Sequence, residues 1–92
     1  MSKILHAAIT GRVQGVGYRA WTLRRAQELG LQGWVRNRRD GSVEAVFKGD
    51  EDKVVQMLGD CWRGPRSAVV SEVVATAVPD EHWPDFSVRP TA

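Results

Sequence analysis

At 92 residues with one cysteine, Cys61, the chain has room for a single domain with a modest core and holds no intrachain disulfide, which fits a reducing compartment. Its hydrophobic and charged fractions, 42% and 26%, are ordinary for a globular protein; no apolar run approaches the roughly 20 residues of a membrane-spanning helix, and no signal-peptide segment opens it. Net charge is only +2, yet residues 12–39 hold seven arginines against one acid, Glu28, so one third of the chain is strongly cationic and calls for an anionic partner. A cytoplasmic domain spanning 1–92 is expected.

The first strand is read over Ile4 to Arg12, with Leu5, Ala7, Ile9 and Gly11 on one face and Ile4, His6, Ala8 and Thr10 on the other. His6 has no second histidine nearby and reads as a solvated strand residue. Tyr18 to Gly30 is a helix whose Tyr18, Thr22, Ala26 and Leu29 form one inward stripe, closed by Gly30. Leu31 to Arg38 is a second strand, with Leu31, Val35 and Asn37 on one side and Trp34, Arg36 and Arg38 on the other.

Asp40-Gly41 signals a two-residue hairpin into a third strand, Ser42 to Lys48, with Val43, Ala45 and Phe47 inward. Asp50 is a candidate N-cap, and Glu51 and Asp52 put negative charge in the first turn of a second helix. Its expected core stripe is Val54, Leu58 and Cys61, which makes Cys61 a buried apolar residue rather than a nucleophile. After Gly64-Pro65, Ser67 to Val78 is a β-branched fourth strand; His82 and Trp83 lie in a covering loop; Phe86 to Val88 is a short edge strand.

The order β-α-β-β-α-β plus a short terminal strand defines the α+β, ferredoxin-like split β-α-β arrangement, an antiparallel sheet with two helices on one face. A right-handed crossover makes the first two strands parallel with one strand between them, so their C-terminal ends share one margin about 10 Å apart. Gly11-Arg12-Val13-Gln14-Gly15-Val16-Gly17-Tyr18-Arg19 lies at the end of the first strand, and Asn37 near the end of the second. Glycines ahead of a helix N-terminus can aim backbone N–H groups at one anion, and Arg19 adds a fork of donors suited to phosphate oxygens. The same glycines would also serve a tight turn alone, since neither Gly-Lys-Ser/Thr nor Gly-x-Gly-x-x-Gly is present. Asn37 has a second reading as a turn-capping residue. Arg12, Arg36 and Arg38 read either as steering groups or as solvated strand ends, and Arg24, Arg25 and Arg39 as solvated.

The nine-residue loop, with Gly33-Trp34-Val35-Arg36-Asn37 and Asp40-Gly41-Ser42-Val43-Glu44, resembles the acylphosphatase family over nearly the whole chain, from Ile4 to about Val88. The resemblance implies a cytosolic hydrolase that cleaves small acyl phosphates to carboxylate and inorganic phosphate, with no metal, no cofactor and no phosphoenzyme. It places Arg19 as the phosphate-binding arginine and Asn37 as the water-orienting residue. The loop residues Val13, Gln14, Gly15, Val16, Gly17 and Tyr18 would supply N–H groups to the phosphate or another anion. A monomer without membrane or nucleic-acid partners is expected. The alternative is an anion- or RNA-binding accessory module, against which stands the lack of aromatics on the first strand and the inward placement of Phe47 on the third.

Overall fold

Alternation of small and branched apolar residues makes β1, Ser2–Arg12, a strand with Ala7 and Ile9 fully buried on one side. The structure, a computed structural model, describes residues 2–92. After β1 come α1 (Tyr18–Glu28), β2 (Gln32–Asn37), β3 (Val43–Asp50), α2 (Glu51–Cys61), β4 (Val69–Ala77) and β5 (Phe86–Val88). One sheet holds all five strands in the order β4-β1-β3-β2-β5. β1 is antiparallel to β3 and β4, and β2 is antiparallel to β3. β5 instead pairs with β2 in parallel, Val35 opposite Val88, so the sheet is mixed rather than antiparallel as expected. The cause is the return path. β4 ends at the margin where β2 begins, and residues 78–85 cross to the far edge, so the chain enters β5 in the direction of β2.

Both helices cover the face presented by Ala7, Ile9, Val35, Val43, Ala45 and Phe47, and Tyr18, Ala26, Val54, Met57 and Cys61 interleave there. In α1 the expected Tyr18, Thr22 and Ala26 stripe is buried, while Leu29 is only partly so. Gly30, at φ 70°, ends the helix: its N–H donates to the Gln27 carbonyl (3.1 Å) and that of Leu31 to the Ala26 carbonyl (2.9 Å), a Schellman closure. In α2 the buried stripe is Val54, Met57 and Cys61, and Leu58 lies at its margin. Positions three and four after Val54 are equally placed by helical spacing, and the flexible thioether of Met57 takes the inner one. Asp50 occupies the N-cap position without a side-chain cap bond; it is still paired with Ser2 as the last residue of β3.

The β2–β3 connection is a three-residue loop, Arg39-Asp40-Gly41, rather than a two-residue turn. The Arg38 N–H donates to the Ser42 carbonyl (2.8 Å) and the Gly41 N–H to the Arg38 carbonyl (3.2 Å), with Gly41 at φ 94°. Asp40 accepts from the Ser42 N–H (2.9 Å) and hydroxyl (2.6 Å), which sets the turn.

On the helix-free face a second cluster joins Trp34, Val46 and Trp83, so Trp83 covers this face as a loop residue. Guanidinium groups of Arg36 and Arg89 each lie 4.8 Å from the Trp34 ring, leaving no open aromatic platform there. Next to it, Glu44 is buried and gathers three partners: His6 Nε2 at 2.9 Å, Arg38 at 3.0 Å and Arg36. His6 is therefore paired rather than solvated, and so are Arg36 and Arg38. Burial by itself would push the Glu44 carboxyl up, but the hydrogen bonds from His6, Arg36 and Arg38 outweigh it and bring it down from the ordinary 4.5 to about 2. A depressed carboxyl stabilises the fold fully above pH 4.5 and loses that contribution as pH falls toward 2. Glu44→Gln is expected to cost about 2 kcal/mol at pH 7, after allowing for solvent around Arg36 and Arg38, and to flatten the acid limb of stability between these pH values. Urea unfolding from pH 2 to 7 reads both effects.

Candidate active site

The crossover places the C-terminal ends of β1 and β2 on one margin of the sheet, with β3 between them. From β1 the chain turns through residues 13–17 into α1. Gly15 (φ 73°) and Gly17 (φ 81°) take left-handed conformations that strain other residues, and Gly17 is the N-cap. The helix starts with no side-chain cap and no acid in its first turn. Its first helical bond runs from the Trp21 N–H to the Gly17 carbonyl (3.0 Å), so the preceding N–H groups lack helical partners. An uncapped N-terminus with the helix dipole behind it favours negative charge.

Arg19 is half-buried beside it and, among the described residues, pairs with no carboxylate. Three of the other six arginines of the cationic third are ion-paired. Arg36 and Arg38 meet Glu44, and Arg25, expected to be solvated, ties α1 to α2 through Asp60 (2.8 Å).

A cavity of about 380 Å³ opens here, lined by Val13, Gly15 and Gly17 of the loop, Tyr18, Arg19, Ala20 and Leu23 of α1, Asn37 at the end of β2, and Val88 of β5. Arg19 and Asn37, far apart in sequence, thus share one cavity. Two of the loop residues read as phosphate donors are not among its lining. Val16 packs against the core, and the Gln14 side-chain amide donates to the carbonyls of Arg38 (2.7 Å) and Ser42 (2.8 Å). Both hydrogens of that amide are spent on the hairpin that carries Asn37, so Gln14 locks loop to strand. Tyr18 is buried; its hydroxyl donates to the Cys61 carbonyl at 2.6 Å, and burial raises the phenol well above its ordinary value. Burial likewise pushes the Cys61 thiol up to about 12, in the core and unsuited to nucleophilic attack.

Ala20, Leu23 and Val88 were not anticipated in the site. Leu23 was within reach of sequence reasoning, since it follows Arg19 by one helical turn; Val88 depends on the parallel pairing of β5. Among the described residues no three His, Cys, Asp or Glu side chains gather as a metal ion requires, and no helix is long and apolar enough to cross a membrane.

The acylphosphatase family profile matches residues 5–88. An acylphosphatase of Rhodopseudomonas palustris is 58% identical over 82 residues, spanning 87% of this chain and 83% of the relative. One from Rhodospirillum rubrum is 51% identical over 89 residues, spanning 97% and 98%. The solved structure of an acylphosphatase from Coxiella burnetii superimposes with a TM-score of 0.93 at 38% identity, covering 96% of this chain and 93% of that one. A two-helix, five-stranded α+β fold of the ferredoxin-like class is what this chain shares with that structure. The chain belongs to the acylphosphatase family.

Gln14→Leu keeps the side-chain size and removes both bonds to the hairpin. The expected outcome is a loss of about 1 kcal/mol in stability, since the Arg38 and Ser42 carbonyls keep their bonds from the Gly41 and Arg38 N–H groups, and a fall in kcat/KM of about tenfold or more as loop and hairpin lose their mutual placement. Thermal unfolding and steady-state hydrolysis of benzoyl phosphate measure the two.

Proposed function

We propose that this acylphosphatase holds the phosphoryl group of its substrate on Arg19 and the backbone N–H groups of the loop and first turn of α1, with Asn37 orienting the attacking water. What supports the reading is one observation: an arginine without a carboxylate partner, an uncapped helix N-terminus and Asn37 all border a single cavity. Water attacks phosphorus, the bond from phosphorus to the acyl oxygen breaks, and the carboxylate leaves with the electron pair. The carboxylate is a good leaving group and needs no strong general acid. A proton of the water passes to a phosphoryl oxygen, so Asn37 only has to hold the water by its carboxamide. Charge growing on the equatorial oxygens is met by Arg19 and the loop amides, so catalysis is positioning plus electrostatic stabilisation.

The enzyme acts on this reading as a cytoplasmic monomer on small acyl phosphates, with inorganic phosphate able to occupy the same anion site. Turnover of benzoyl phosphate is expected in the presence of EDTA. Arg19→Ala should lower kcat/KM by about 10³, and Asn37→Ala should lower kcat by about 10² with little change in KM, since water is bound by Asn37 and phosphate is not. Turnover surviving both substitutions would remove these residues from the mechanism. A folded protein that binds phosphate without turnover would make the chain an anion-binding module.

A further inference from the structure

A phosphoryl group bound at Arg19 and the helix N-terminus fills only one end of a cavity of about 380 Å³. Its lining also includes the apolar side chains of Val13, Ala20, Leu23 and Val88. Leu23 lies one turn beyond Arg19 on the same face of α1, so a group extending from phosphate along the helix passes over it. Val88 stands opposite Val35, two residues before Asn37 on the neighbouring strand, about 8 Å diagonally from it. Phe86, on the same side of β5, is buried in the core beneath the helices, so Val88 faces the helix side at the open end of that strand. Arg19 is the one charged side chain among the lining residues, and the Tyr18 hydroxyl is already engaged with Cys61.

We infer that Ala20, Leu23 and Val88 form an acyl subsite that selects uncharged apolar acyl groups, aromatic or branched-chain, over acetyl and over acyl groups bearing a second carboxylate. The inference rests on the phosphate site proposed above. An apolar acyl group gains from leaving water against this wall, whereas a second carboxylate is desolvated there without a partner. Acetyl is too short to cover it.

The test compares kcat/KM on benzoyl, acetyl and succinyl phosphate for the wild type, Leu23→Asn, Val88→Asn and Val88→Lys, with Arg19→Ala alongside. Wild type is expected to prefer benzoyl over acetyl phosphate by about tenfold or more, the scale on which apolar pockets discriminate. Leu23→Asn and Val88→Asn should each cut that preference at least about threefold, and Val88→Lys should raise succinyl relative to benzoyl turnover by about fivefold or more by supplying the missing charge. Val88 is 41% exposed, so its substitutions leave the core in place even if Leu23→Asn weakens folding. Preferences unchanged in both Val88 variants, with Arg19→Ala inactive on all three substrates, would overturn the subsite and leave the phosphate site standing. Full turnover by Arg19→Ala would remove the phosphate site itself, and the subsite with it.

Discussion

Where α1 begins decides what the site can be, and Tyr18 sets that point. Its ring is 1% exposed, sunk in the core from the first residue of the helix, and its hydroxyl reaches the Cys61 carbonyl at the far end of α2. With position 18 turned inward, the roughly 100° step between successive helical residues swings Arg19 out of the core toward the strand ends. The same anchor holds Gly17 immediately before it, and with Gly17 the uncapped amides. Core packing and the build of the proposed anion site are therefore not separate features here. One buried aromatic residue, kept neutral by its surroundings, aims the helix dipole and the arginine together.

A second constraint is the sorting of charge. Seven arginines crowd residues 12–39, yet they do not act as one field. Glu44 absorbs Arg36 and Arg38 on the helix-free face, and Asp60 and Glu28 absorb Arg25 between the helices. Arg19 keeps its charge uncommitted at the mouth of the cavity. Three of the other six arginines are thus tied to acids, while Arg12, Arg24 and Arg39, which form no ion pair among the described residues, lie outside the cavity lining. The hub at Glu44 has a second effect, because Arg36 and Arg38 flank Asn37 and hold that stretch of β2 to β3 from the opposite side of the sheet.

Much of this was legible in the sequence, for local reasons. Alternating apolar residues marked the strands, Gly30 marked the end of α1, and the pairing of a glycine loop with Asn37 followed from strand order and crossover handedness. What escaped were choices that local spacing leaves degenerate or that depend on distant partners. Helical periodicity cannot separate Met57 from Leu58 beneath the sheet. Asp40-Gly41 marked a turn, but its length followed from Gly41 taking the last of three loop positions. Gln14 read as one more donor in the loop because nothing in its neighbours reveals the two carbonyls, 24 and 28 residues away, that claim its amide. His6 and Arg25 likewise read as solvated because their acids lie on other elements. The parallel entry of β5 is a property of the path over the helix-free face, and composition carries no trace of it.

Beyond Val88 the chain does not leave the sheet. The Arg89 N–H donates to the Val35 carbonyl (2.9 Å), the Ala92 N–H to the Asn37 carbonyl (3.1 Å), and the Arg39 N–H to the Ala92 carbonyl (3.1 Å). A strand of only three residues is thereby continued along β2 as far as the site, with Pro90 in the outer row where a missing N–H does least harm. β2 never becomes a bare margin. The long margin left for another chain to add to is that of β4, on the far side of β1 and β3 from Asn37. Strand-to-strand association of this molecule, if driven at high concentration, would begin at β4 and leave the entrance to the cavity unobstructed.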